Sequence, residues 1–78
     1  PNPFNPSTTI RFSLSEPQQV RVAVVDQTGR RVATLADGLF YAGWHDVAWD
    51  GTGYASGAYF VRLETPTRTF TRRLMLLH

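Results

Sequence analysis

Seventy-eight residues make one small domain with a single thin core, one that buries about 60–65% of its unfolded surface. The formal charge is only +2, and its arginines are scattered except for Arg30-Arg31 and Arg72-Arg73, which speaks against the basic, aromatic-lined stripe of a nucleic-acid binder. Cysteine is absent, so no disulfide staples the fold, and no run nears the ~20 apolar residues of a membrane-spanning helix.

Pro1-Asn2-Pro3-Phe4-Asn5-Pro6 has too many prolines for a helix or a paired strand and reads as an extended arm, with Phe4 the group able to dock. The chain starts at Pro1 without Met, a basic n-region or an apolar h-region, so it reads as a module of a longer polypeptide, and the module is expected to be monomeric. Residues 7–14 alternate, with Ile10, Phe12 and Leu14 on one face and Thr9, Arg11 and Ser13 on the other, as in a half-buried strand. Ser15-Glu16-Pro17 breaks it. Residues 19–25 form a second strand, with Val20, Val22 and Val24 inward. Ala23 and Val25 make its second half apolar on both faces, so it is either central or covered from outside the module. Asp26-Gln27-Thr28-Gly29 has type I turn preferences and closes a hairpin onto a short return strand, 31–35, pinned by Val32 and Leu35.

Residues 36–43 are the least regular, punctuated by Asp37-Gly38 and Gly43, with room for a brief edge strand at Leu39, Phe40 and Tyr41. Residues 45–49 follow, with His45, Val47 and Trp49 on one face. A turn rich in glycine, Asp50-Gly51-Thr52-Gly53, then launches the clearest alternation in the chain. There Tyr59, Val61 and Leu63 oppose Arg62 and Glu64. The final strand, 68–77, has an uncertain phase. Phe70, Leu74 and Leu76 agree, but Arg72 shares their parity, and a bulge near Arg72 and Arg73 would reconcile them. No helical apolar period persists. The expectation is an immunoglobulin-like or fibronectin III-like antiparallel β-sandwich of six to seven strands over 7–78.

Chemistry is thinly represented. His45, Ser56 and Asp46 or Asp50 supply the residue types of a nucleophilic triad, but no Gly-x-Ser-x-Gly elbow frames Ser56. Asp50-Gly51-Thr52-Gly53 looks superficially like a calcium loop, yet the further oxygen ligands are missing and a tight turn explains the glycines. Two distant histidines and no thiol offer nothing to zinc. No cofactor and no enzymatic activity are expected. Tyr41, Trp44 and Tyr54 are candidates for stacking on sugar rings, which makes a carbohydrate-binding module the alternative. Against it, Trp49 is in phase with the core, and Trp44 would cover a sheet edge.

Taken in order, several pieces resemble one family. Pro1-Asn2-Pro3-Phe4-Asn5-Pro6-Ser7-Thr8-Thr9-Ile10-Arg11-Phe12 is similar to the opening of C-terminal sorting domains of the type IX (Por) secretion system. Val24-Val25-Asp26-Gln27-Thr28-Gly29-Arg30-Arg31-Val32, Ala42-Gly43-Trp44-His45, Val47-Ala48-Trp49-Asp50-Gly51 and Ser56-Gly57-Ala58-Tyr59-Phe60-Val61-Arg62-Leu63 match in order and spacing. The immunoglobulin-like domain of the flagellar hook-capping protein shares much of this signature, and an interaction domain of that kind is a further alternative.

The resemblance implies a non-catalytic module at the end of a secreted protein. It would be recognised in the periplasm, direct passage through the outer membrane and leave its carrier on the cell surface or outside the cell. A sortase-like peptidase often removes such domains and attaches the cargo to surface lipopolysaccharide. The implied partners are the secretion machinery and a covalently linked upstream domain, without membrane insertion. The recognition residues implied are Arg72, Arg73, Leu74, Met75, Leu76 and Leu77, with His78 where the family has Lys or Arg.

Overall fold

The computed structural model describes residues 6–77, so the docking expected of Phe4 in the arm and the terminal contact expected of His78 lie outside the described residues. Six strands follow one another: β1 (Ser7–Leu14), β2 (Gln18–Val25), β3 (Arg31–Phe40), β4 (Gly43–Asp50), β5 (Gly57–Glu64) and β6 (Thr69–Leu76). All their pairings are antiparallel. They form two sheets, β1-β4 and β3-β2-β5-β6, and the shortest dimension of the molecule, 16 Å, is that of two stacked layers. The chain is an all-β, immunoglobulin-like sandwich with two strands on one side and four on the other.

The core sits between the layers. Val20, Val22 and Val24 of β2 are fully buried, and they pack with Trp49, Tyr59, Val61 and Leu76. Burial on β1 alternates as its sequence dictates, with Ile10, Phe12 and Leu14 against the core. The double apolar face of β2 has a simple cause. This strand is central, between β3 and β5, and on its outer face Ala23 faces Thr34 and Arg62 while Val25 faces Arg31 and Phe60. Both are nearly as buried as the inner valines.

Two turns hold their glycines for backbone reasons. Gly29 has φ of 85° and donates its N–H to the Asp26 carbonyl, and the Asp26 side chain accepts from the N–H groups of Thr28 and Arg30. Gly53 has φ of 88° in the turn closed by Tyr54 N–H on the Gly51 carbonyl, with Asp50 Oδ1 accepting from Thr52 N–H.

The region expected to be irregular is strand. β3 runs unbroken to Phe40, with Gly38 paired to Val20, and the chain turns only at Tyr41-Ala42. Its register on β2 slips twice. Val22 faces Ala36 while Ala23 faces Thr34, and Val24 faces Ala33 while Val25 faces Arg31, which leaves Leu35 and Val32 without partners. Each extra residue reverses the side-chain phase, so a ten-residue strand reads as a short one followed by loop. The Val32 carbonyl accepts a hydrogen bond from Tyr54 Oη at 2.9 Å, which ties the second slip to the glycine turn.

The bulge expected near Arg72 is absent. Glu64 faces Thr69 and the register runs without interruption to Gly57 facing Leu76. The mixed face of β6 therefore has another origin, which lies in what β6 borders.

The terminal strand and the groove beside it

β6 is an edge strand of the larger sheet, bound to β5 on one side only. Its alternation divides the six expected recognition residues between two faces. Arg72, Leu74 and Leu76 point to the inner side, and Arg73, Met75 and Leu77 to the outer side. Leu76 is 4% exposed and completes the core, whereas Met75 and Leu77 stand in solvent. Arg73 Nη2 lies 3.5 Å from Met75 Sδ, so these two form one exposed patch. The strand thus packs the domain through one face and leaves the other in solvent.

The seat of Leu76 is built by a glycine. Gly51 is buried, and a Cβ placed on it would lie 2.5 Å from Leu76 Cδ1 and 3.0 Å from Cδ2. A side chain at position 51 would therefore force Leu76 to shift in its buried seat. Trp49, Tyr54 and Tyr59 close the same end of the core, with Trp49 5.5 and 5.1 Å from the two tyrosine rings. Tyr59 Oη donates to the Ala55 carbonyl at 2.7 Å, so the loop after β4 is pinned at both ends.

Along β6 away from Leu76, cover is lost by degrees. Leu74 is half-buried, and Arg72 and Phe70 are exposed. The smaller sheet ends at β1, whose second edge has no strand beside it among the described residues, and no described strand overlies this part of β6. Between them lies an open groove of 740 Å³. Its apolar lining includes Ile10, Phe12 and Leu14 from β1, Leu63 from β5, and Phe70 and Leu74 from β6. Arg68 and Arg72 also line it, with the Arg68 guanidinium 5.8 Å from the centre of the Phe70 ring. Arg72 shares the parity of the apolar residues because that face leaves the core and becomes the wall of the groove. The strand identity of this site was legible from sequence. The groove was not, since it depends on which edge β1 leaves open.

Two ion pairs on the remaining surface join register partners on neighbouring strands. Arg11 and Asp46 are register partners on β1 and β4, joined by Nε–Oδ1 at 2.9 Å and Nη2–Oδ2 at 3.3 Å. That hydrogen-bonded guanidinium holds the Asp46 carboxyl below its usual range. Arg21 and Glu64 pair likewise across β2 and β5 at 2.8 Å. No carboxylate among the described residues pairs with Arg68, Arg72 or Arg73 within ion-pair distance.

The residue types of a triad are engaged elsewhere. His45, half-buried between Phe12 and Phe40, has Nε2 2.6 Å from the Tyr41 carbonyl, and that N–H donates there. Asp46 is held by Arg11, and Asp50 by Thr52. Of the three aromatics considered for sugar stacking, Tyr41 and Trp44 are about 70% exposed near the β3–β4 turn, so Trp44 does not cover the sheet edge. Tyr54 is turned inward against Trp49. Trp49 is core, as its phase required.

One family model, described as a secretion system C-terminal sorting domain, matches residues 1–77. No curated protein and no solved structure matches the chain.

Proposed function

The chain belongs to the family of secretion system C-terminal sorting domains, and from that premise we propose that it acts without catalysis, as a folded address that the type IX machinery reads along β6. The observation that carries this reading is the terminal strand itself. Its free edge offers unpaired backbone groups, and Arg73, Met75 and Leu77 stand outward beside it. Leu74 and Leu76 set the strand's position from the inner side. The carrier would cross the periplasm folded and end on the cell surface or outside the cell. Removal of the domain by a sortase-like peptidase, with attachment of the cargo to lipopolysaccharide, is the continuation that the family suggests.

The test is an export assay in a host with this machinery, using a fluorescent reporter that carries a periplasmic export signal and residues 1–78 at its C-terminus. Deleting 74–78 is a poor probe, because it removes Leu76 from the core and confounds folding with recognition. The informative variant is Arg73→Glu with Leu77→Ser, which changes only exposed side chains. The intact fusion should reach the surface or medium, and the folded double variant should remain periplasmic. Equal export of both would remove β6 from the reading, and a folded intact fusion that stays periplasmic would remove the sorting role.

A second reading is favoured by the exposure of Tyr41 and Trp44, which suits stacking on sugar rings. Retention on an insoluble polysaccharide that is lost in Trp44→Ala would support it, and equal recovery of both proteins in the supernatant would dismiss it.

A further inference from the structure

The groove between β1 and β6 has walls of an unusual kind. One is the stretch 9–14 of β1, whose second edge has no strand beside it among the described residues, and the other is the inner face of an edge strand that no described strand overlies. The sandwich has two strands opposite four, and the uncovered part of the larger sheet starts where β1 stops. Its volume of 740 Å³ falls within the range of about 300–1,000 Å³ typical of small-molecule clefts. Its shape is a strand-lined trough, however, with unpaired main-chain donors and acceptors along one side. Apolar side chains on the floor, backbone groups along the side and guanidinium groups at Arg68 and Arg72 are the complement of an extended polypeptide.

We propose that this groove receives an extended segment of the secretion machinery, added to the free edge of β1 as a third strand of the smaller sheet. Its inward side chains are apolar at alternate positions, with one carboxylate among them that meets Arg72. The identity of the partner rests on the sorting reading above, and the strand chemistry rests on the groove.

Charge decides between occupants. A second copy of this chain entering by its own open edges would bring β1 or β6, whose sequences STTIRFSL and TFTRRLML contain arginine and no acid. That would set guanidinium against guanidinium. An acidic strand instead satisfies Arg72 and buries Phe70, which is 54% exposed, together with Leu74 and Leu63. The acid on the rim, Glu16, lies on the β1–β2 turn and not on either wall, so it leaves the centre of the groove positive. Strand addition supplies main-chain hydrogen bonds that are indifferent to sequence, and the alternating pockets with Arg72 supply the selection.

The probe is a fluorescent eight-residue peptide that alternates Thr and Val, with Glu replacing one central Val, and its control carries Lys at that position. Binding to the full chain is followed by fluorescence anisotropy. The Glu peptide should bind at least ten-fold more tightly than the Lys peptide, and Arg72→Glu should reverse the preference. Arg72 is exposed, so the variant should melt with the parent. Hydrogen exchange should slow at β1 amides in the complex. Failure to bind, equal binding of both peptides, or a preference unmoved by Arg72→Glu would overturn the proposal. Self-association of the chain with protected β1 amides would assign the groove to a second copy and overturn it as well. In the export assay, Arg72→Glu should block release while Arg72→Lys preserves it. Normal export of Arg72→Glu despite the reversed peptide preference would show that the machinery is not the occupant. Loss of export in the Arg73 and Leu77 variant alone would leave the sorting role standing without this groove.

Discussion

Arg72 and Val61 are register partners on β6 and β5 and share a face, yet Val61 is 4% exposed and Arg72 stands in the open. The change occurs across a single strand-to-strand step. β5 lies under the smaller sheet, and the part of β6 that holds Arg72 lies beyond it. One face of one sheet is core on one side of that step and open to solvent on the other.

Leu76 and Leu77 should separate sharply in stability. Leu76→Ala removes a buried side chain from the core and should cost about 2–5 kcal/mol. Leu77→Ala should stay within about 0.5 kcal/mol, since its side chain is largely exposed. Urea unfolding of both variants checks this.

Gly51→Ala should destabilise by about 1–3 kcal/mol, because the new methyl meets the branched end of Leu76 in a packed seat. The same substitution in the Leu76→Ala background should cost much less, since the obstructing atoms are gone. A double-mutant cycle measures the difference, and additive effects would mean that the two residues do not share a seat.

Tyr54→Phe deletes the hydrogen bond to the Val32 carbonyl and should cost about 0.5–1.5 kcal/mol while leaving the ring on Trp49. Amide exchange around Arg31, Val32 and Ala33 should quicken in this variant, since the carbonyl of an unpartnered residue on β3 loses its donor.

Acid should weaken the fold through three carboxylates held below their ordinary range. Asp26 is lowered by the Thr28 hydroxyl, helped by the N–H groups of Arg30 and Thr28; Asp46 is lowered by Arg11, and Asp50 by hydrogen bonds from Thr52. Each binds its proton more readily in the unfolded chain. The stability they contribute is complete above the unfolded aspartate value of about 3.9 and is lost as pH falls through the lower folded values. Melting temperatures from pH 6 down to pH 2 should drop mainly below pH 4. Asp26→Asn should flatten part of that drop.

How far the sequence carried the structure depended on local phase. β1, β2 and β5 were legible because each keeps one apolar face in phase along its length and that face packs on the core. β3 was shortened in the reading because unpaired Val32 and Leu35 each invert the pattern, and a period of two has no memory across a slip. On β6 the strand itself was legible and only the bulge was misplaced, for the opposite reason. Its register is perfect, and the bulge was expected only on the premise that an apolar face must be core along its whole length. The fold class needed only the succession of strands and turns. The groove needed the pairing of β1 with β4 alone, which no local pattern encodes.

If β6 is the address proposed above, the seat of Leu76 on Gly51 joins that address to the architecture. The outward display of Arg73, Met75 and Leu77 holds its orientation only while Leu76 is anchored, and the anchor exists only once the turn at Gly51-Thr52-Gly53 has closed. A carrier whose turn has not formed still contains every residue of the signal, but without a fixed face to show. On the reading of β6 proposed above, a reader that touches nothing except the strand would also sample whether the domain behind it has folded, so delivery and quality control would become a single act of recognition.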